Sequence, residues 1–497
     1  EESKDILIRP HHFGLAFHGD LVKVSLESKM PAGRRAEGRV ISVIERKQTE
    51  FIGNLHTNKN ITFFIPAGDK GMPDFFIPPG KMGGAKDGDR VIVKLLKWDN
   101  PEKKPEGEVI TLFTSQNASD QAMKEILIDS GFPLEFDKEV LQAAENLSDT
   151  IRPEDIKKRK DFRDILTFTI DPVDARDFDD AISFEKIDNG LYEIGVHIAD
   201  VSHFVSPGSI LDQAAFERAT SVYLPDRVNP MLPERISNEL CSLRPHEDKF
   251  TFSAVFKITA KGEIKHTWIG RTLIHSDHRF TYEDVQQIIE TKEGAHKKEV
   301  LLLNELAQNF RKDRFKKGAI NFSSTEVRFK LDENGKPIGI VVKESKESHQ
   351  LIEEFMLLAN KAVAEYVSAI KVNKQSVPFP YRIHDQPNDE KLAPFAAFAR
   401  KFGYKFDLKD EKSVVASFNK LLDEVKGKPE QHVLEQLGIR TMAKAIYTGE
   451  NIGHYGLGFE NYCHFTSPIR RYPDVMVHRI LQECLDKEVV IDKKMEE

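Results

Sequence analysis

Two apolar, strand-like runs, 165–170 and 181–184, enclose five aspartates: Asp171, Asp174, Asp177, Asp179 and Asp180. Carboxylates crowded onto one turn repel each other and resist losing water. Such a stretch is either a solvated acidic loop or a ligand set for hard cations. The apolar flanks, and the alternation of the acids with Ala175, Phe178 and Ala181, favour the second reading. Oxygen ligands with no cysteine suit Mg²⁺, Mn²⁺ or Ca²⁺ rather than zinc.

With 497 residues the chain has room for about three domains. Net charge is −8, which argues against an overall basic coat for nucleic acid and leaves room for a local basic channel. No apolar run reaches the roughly 18 residues of a membrane span. Residues 1–5 lack the basic and apolar regions of a signal peptide. Cys241, Cys463 and Cys484 form no CxxC, an odd set that fits a reducing cytoplasm.

The first hundred residues repeat. Ile8, Gly19-Asp20, Val22, Val24 and Glu37-Gly38 recur 69 residues later as Ile77, Gly88-Asp89, Val91, Val93 and Glu106-Gly107, and Pro10 matches Pro79. Each copy reads as short alternating strands, the pattern of a small OB-type barrel that binds single-stranded nucleic acid. Phe63, Phe64, Phe75 and Phe76 are either stacking residues or barrel core. The first copy has few residues ahead of Ile6, so the chain is expected to begin inside its first barrel.

Helical segments follow near 120–128 and 133–145. Lys157-Lys158-Arg159-Lys160 reads as a wet charged face in preference to an RNA-phosphate contact. Beyond the aspartates, Asn189-Gly190 predicts a tight hairpin turn between strands at 181–186 and 191–198. Further strands are expected at 250–259 and 267–274, and helices at 300–316 and 351–366, making an α+β domain. A second polar constellation runs from His464 to Asp474. A helix over 472–484, with Pro473 early in it, places Arg470 and Arg471 at its N-terminus. An arginine pair there suits a phosphodiester, unless carboxylates claim it.

Asp171-Pro-Val-Asp-Ala-Arg-Asp-Phe-Asp-Asp180 and His464-Phe-Thr-Ser-Pro-Ile-Arg-Arg-Tyr472 resemble the two signature blocks of the RNB exoribonucleases, the family of RNase II and RNase R. Intermediate blocks agree: Gly195–His203, Thr220-Ser-Val-Tyr223, Ile352–Asn360 and Tyr381-Arg-Ile-His-Asp385. Paired barrels and the Arg-Arg-Tyr form are most similar to the bacterial RNase R branch. The resemblance implies a multidomain chain of OB-fold (cold-shock) β-barrels followed by an α+β RNB catalytic domain. The limits expected are 1–49 for a partial first barrel, 50–118 for the second, 119–150 for a helical linker and 151–487 for the catalytic domain. Residues 488–497 would begin the linker to an S1 domain that lies beyond this sequence.

The resemblance also implies processive 3′→5′ hydrolysis of RNA to nucleoside 5′-monophosphates by two metal ions, Mg²⁺ with Mn²⁺ as the alternative. Asp171, Asp177, Asp179 and Asp180 would be the metal carboxylates, with Asp179 the most critical for chemistry and Asp174 outside the set. Arg470 would clamp the scissile phosphate, with Arg471 second to it. Tyr223 and Phe322 would stack on the terminal bases, and Glu354 would contact the terminal nucleotide, unless it is an ordinary surface acid. Expected partners are single-stranded RNA 3′ ends and structured RNA with a 3′ overhang, with no membrane and a monomeric chain. The alternatives are an RNase II-like enzyme confined to single strands, a non-catalytic cold-shock-type RNA binder, and a Ca²⁺-binding structural module.

Overall fold

The computed structural model describes residues 5–26, 36–59, 61–67, 71–113, 118–322, 326–333, 335–343 and 345–491. The signal-peptide reading at 1–4 and most of the linker reading at 488–497 lie outside them. Two compact units form. One comprises 1–136 with Leu224–Arg227 and Phe329–Gly339; the other comprises the remainder.

In the smaller unit the repeat is a repeat of structure. Strands β1 (Ile6–Ile8), β2 (Leu21–Leu26) and β3 (Ala36–Glu45) form one sheet. Strands β4 (Glu50–Asn58), β5 (Ile61–Pro66), β6 (Phe75–Ile77), β7 (Arg90–Lys97) and β8 (Glu106–Leu112) close a barrel, and helix α1 (Ala118–Asp129) follows. The parallel pair Leu7↔Glu37 in the first copy becomes Phe76↔Glu106 in the second. The repeated glycine has a steric cause. A Cβ at Gly38 would lie 2.6 Å from Val24, and one at Gly107 would lie 2.3 Å from the matching Val93. Strand alternation divides the four phenylalanines. Phe64 and Phe75 are wholly buried in the barrel core. Phe63 and Phe76 sit on its outer side, edge to face, with the Lys104 ammonium 4.4 Å from the Phe63 ring centre.

The larger unit opens with α2 (Lys138–Glu145), α3 (Pro153–Lys157) and β9 (Lys160–Asp161). Strands β10 (Thr167–Asp171), β11 (Asp180–Lys186) and β12 (Leu191–Ala199) come next, then α4 (Val201–Phe204) and α5 (Ile210–Arg218). The hairpin β13 (Val222–Tyr223) and β14 (Val228–Asn229) leads to β15 (Asp248–Thr259), β16 (Ile264–His275) and β17 (His278–Thr281). Helices α6 (Tyr282–Thr291) and α7 (Lys297–Lys316) follow; next along the chain comes a ribbon of β18 (Glu326–Leu331) and β19 (Pro337–Lys343), whose segment Phe329–Gly339 belongs to the smaller unit, and then α8 (Glu347–Ser368) of the larger one. The chain ends through β20 (Lys371–Val372), β21 (Gln375–Ser376), β22 (Tyr381–Ile383), α9 (Asp389–Lys401), α10 (Glu411–Val425), α11 (Gln431–Thr441), β23 (Ile446–Thr448) and α12 (Tyr472–Asp486).

Seven strands form the main sheet in the order β17-β10-β11-β12-β15-β16-β9. One face buries Phe168, Ile182, Val196, Phe252 and Phe256 against Leu303, Phe355 and Leu481 of the helices. The expected tight turn at Asn189-Gly190 is a short 3₁₀ turn over Asp188–Gly190, with Gly190 supplying a φ of +73°. The opposite face carries a buried polar ladder. The His197 ring bridges Ser253 (2.7 Å) and Ser183 (2.8 Å). Burial pushes this imidazole down to about 3, so it is neutral. Gly195 makes room for the ring, since a Cβ there would lie 2.4 Å from His197 Nε2.

The basic run at 157–160 needs correction at Arg159. Its guanidinium is buried against Asp200 at 2.7 Å, and Arg271 reaches the same carboxylate at 2.6 Å. Burial opposes the Asp200 charge, but Arg271 and Arg159 outweigh it and hold the carboxyl well below the usual range. This group therefore stabilises the fold above the ordinary carboxylate pKa, and that contribution is lost as pH falls below it. Removing one partner of such a buried group leaves uncompensated charge, so Asp200→Asn should cost about 3–5 kcal/mol in urea unfolding at neutral pH. The deficit should shrink as the pH of the titration is lowered below the carboxylate range.

Candidate active site

Strand β10 ends at Asp171 and β11 begins at Asp180, so the sheet itself brings the two ends of the aspartate turn together. Asp171 and Asp179 are buried and Asp180 is half-buried, while Asp174 is exposed with Arg328 4.0 Å away. Burial pushes the Asp171 carboxyl up, the charge of Asp180 adds to this, and Arg279 opposes it. Burial likewise pushes Asp179 and Asp180 up, with Arg470 opposing in both cases.

Three segments distant in sequence converge here. Asp179 Oδ1 accepts the backbone N–H of Ile469 at 2.9 Å, and Arg470 Nε lies 3.6 Å from Asp179 Oδ2. The carbonyl of Arg470 accepts from Ser221 N–H and from the Thr220 hydroxyl. That stitching carries Tyr223 to the acids, and its hydroxyl donates to Asp177 Oδ2 at 2.6 Å. The Tyr223 side of the ring remains half-exposed. Burial and the Asp177 charge both hold this phenol protonated.

The other expected site residues divide. Arg470 keeps a half-exposed side chain, bonded to Ser467 Oγ. Arg471 does not: Asp474, one helical turn on, takes its guanidinium through two bonds of 3.0 and 2.7 Å. An RNA contact by Arg471 would have to share the guanidinium with this ion pair. One reading of Glu354 is corrected. It is not a surface acid, because Arg314 and Arg311 of α7 hold its buried carboxylate. Phe322 packs edge to face on Phe418, at the border of the core formed by α9, α10 and α11.

Sequence reasoning missed the residues that hold the turn in place. Arg279 Nη2 donates to the carbonyls of Pro172 and Val173, both at 2.8 Å, and its guanidinium lies 5.1 Å from the Phe178 ring centre. Ser242 bridges the other shoulder, donating to the Arg176 carbonyl and accepting from Phe178 N–H. Asn360 of α8 accepts Phe465 N–H at 2.8 Å and so fixes the start of the second block. Only Asn360 had a signal, as a polar residue closing the apolar face of a predicted helix. Arg279 and Ser242 act on backbone atoms far along the chain, which no spacing rule reaches.

The donors fit a hard cation. They are all carboxylate oxygens, and Asp171 Oδ2 is buried with no hydrogen-bond partner. Among the described residues, however, no three His, Cys, Asp or Glu side chains converge on one point. Asp177 is turned to Tyr223, and Asp179 to Ile469 and Arg470. An ion would draw these carboxylates inward from bonds they now make to neighbours.

Comparison with known proteins places the chain in a family. The RNB domain pattern matches residues 159–487, the cold shock domain pattern 63–137, and the ribonuclease B OB domain pattern 1–43. The chain belongs to the RNB family. It is 38% identical to ribonuclease R of Thermotoga maritima over 98% of this chain and 69% of that protein. The structure superposes on Mycoplasma genitalium RNase R in complex with ribose methylated single-stranded RNA, with a TM-score of 0.79 and 26% identity over 98% of this chain and 77% of that one. Against the complex of the same enzyme with double-stranded RNA the TM-score is 0.77, with 27% identity over 92% and 81%. The chain is thus a ribonuclease R-like 3′–5′ exoribonuclease, with OB-fold domains preceding its RNB domain. Nucleases of this family depend on divalent metal.

Loss of an outer partner that orients metal ligands typically costs about 10–100-fold in affinity. Arg279→Gln should weaken Mn²⁺ binding by that order in a titration followed by the ion's paramagnetic signal. Removing a positive charge would by itself tighten cation binding, so the sign of the change separates orientation of the turn from simple charge balance.

Proposed function

We propose that the chain degrades RNA processively from the 3′ end to nucleoside 5′-monophosphates, and that it acts on structured RNA carrying a 3′ overhang. The observation that carries this reading is the junction of Asp179 with Ile469 and Arg470, which sets a phosphate-binding guanidinium beside under-neutralised carboxylates. Two divalent ions, Mg²⁺ or in its place Mn²⁺, would supply an activated water and neutralise charge on the phosphorane and the leaving 3′ oxygen. Asp171, Asp177, Asp179 and Asp180 are the carboxylates assigned to hold them. The domain limits set out from the sequence belong to the same proposal.

The protein's own groups do the rest. Arg470, half-exposed and leaning on Asp179, presents its remaining donors to the scissile phosphate. Tyr223 keeps its hydroxyl on Asp177 while its exposed ring offers a face for the terminal base, a contact worth roughly 1–3 kcal/mol. Phe322 is assigned the second stacking position. Discrimination against DNA is assigned to contacts with the 2′-hydroxyl. The Mycoplasma enzyme has been crystallised with both single- and double-stranded RNA, which supports the RNase R-like reading over one confined to single strands.

Asp179→Asn should abolish hydrolysis of 3′-tailed RNA in Mg²⁺ while leaving the fold intact by circular dichroism; undiminished turnover would remove the site assignment. Tyr223→Ala should lengthen the limit product on a gel, since the last base loses its stacking partner. A duplex with a short 3′ overhang should be digested through; arrest at the duplex edge would instead favour the RNase II-like alternative.

A further inference from the structure

The block Tyr381-Arg-Ile-His-Asp385 has no part in the chemistry assigned so far. Strand β22 pairs antiparallel with β23, setting Arg382 opposite Tyr447. On its other side Arg382 N–H donates to the Tyr462 carbonyl, and Tyr381 bridges Cys463. Arg382 is therefore packed directly beside the start of the second signature block. Its guanidinium lies 4.6 Å from the Tyr447 ring centre, and the Tyr447 hydroxyl is 2.7 Å from His464 Nδ1.

This chain of contacts leaves Nε2 of His464 available as a donor. Burial lowers the His464 pKa to about 3, with Arg471 adding to it, so the ring is neutral. A neutral imidazole carries one proton, and in the tautomer that accepts the tyrosine proton at Nδ1 that proton is on Nε2. Among the described residues Nε2 has no hydrogen-bond partner. The surroundings are also short of negative charge. Arg382, Arg470 and Arg471 all act on His464. Arg471 is neutralised by Asp474 and Arg470 leans on Asp179, but among the described residues Arg382 has no carboxylate within ion-pair distance. A half-buried guanidinium that stacks on a ring without a counter-ion is set up for an anion.

We propose that Arg382 and the Nε2–H of His464 form a second phosphate subsite, which takes a backbone phosphodiester of the same RNA strand next to the one held by Arg470. This rests on the assignment of Arg470 to the scissile phosphate. It goes beyond that assignment by fixing the strand at a second charge, so that the reacting linkage is held in register between two anchored phosphates. Tyr447 is a positioning residue here: it stacks under one donor and sets the tautomer of the other.

The test is binding of a short 3′-labelled single-stranded RNA in EDTA, followed by fluorescence anisotropy across a salt series, so that no turnover enters the readout. Arg382→Gln should weaken binding and reduce the slope of log K against log salt by about 0.7, the value for one phosphate contact on a single strand. A methylphosphonate at one linkage should weaken wild type and leave Arg382→Gln unaffected. Arg382→Lys should keep the salt slope, His464→Phe should weaken binding, and His464→Gln, which retains an N–H donor, should weaken it less. An unchanged slope, or equal sensitivity of wild type and variant at every linkage, would overturn the subsite, as would a lowered melting temperature with binding intact. Arg470→Gln run in parallel separates the two readings. If it is silent while Arg382→Gln loses one contact, the scissile-phosphate assignment fails and this subsite stands; if it alone loses a contact, only this subsite fails.

Discussion

The geometry of the acidic site depends on one hydrogen bond, from the backbone N–H of Ile469 to Asp179 Oδ1. Hydrogen bonds to charged groups are worth about 1.5–3 kcal/mol, more than most single contacts in the chain. Its larger effect is topological. Asp179 enters on the lip of β11 and Ile469 on the approach to α12, and everything that follows either residue is placed by their meeting. Arg470 comes next to the carboxylates because it follows Ile469. Tyr223 comes within reach of Asp177 because residues 220 and 221 bond to the Arg470 carbonyl.

The surroundings keep that junction in register. Asn360 holds Phe465 from the helical side, Asp474 accepts Ser467 N–H and pairs with Arg471, and Arg279 and Ser242 grip the two shoulders of the aspartate turn. Most of these anchors bind backbone atoms. The acidic side chains are consequently left with few bonds of their own, which is why burial can push their carboxyls up and why one oxygen of Asp171 has no partner. The chain around the acids is fixed while one carboxylate oxygen is left without a partner.

Much of this was legible in the residues. The repeat at a spacing of 69 residues reported two related strand units, a three-stranded sheet and a closed barrel, and the aspartate block was read between two strands, where it lies. The neighbouring pair Arg470 and Arg471 shows where legibility stops. Two identical side chains have different roles, decided by Asp474 lying three residues beyond the second of them. That spacing was visible in the sequence; which arginine it claimed was settled by the helix start. Glu354 and Arg159 were misread for a related reason. A charged residue on an otherwise ordinary stretch looks solvated until its partner, some forty residues away in each case, packs against it. Arg279 and Ser242 left no trace, since a donor aimed at a distant carbonyl has no pattern of its own.

The Asp179–Ile469 junction spans 290 residues of chain. During synthesis at about 5–20 residues per second, the acids therefore wait roughly 15–60 s for the segment that completes their site. Through that interval the strands can fold while Arg470 does not yet exist. A chain still on the ribosome has the acidic half of the site and lacks the basic half.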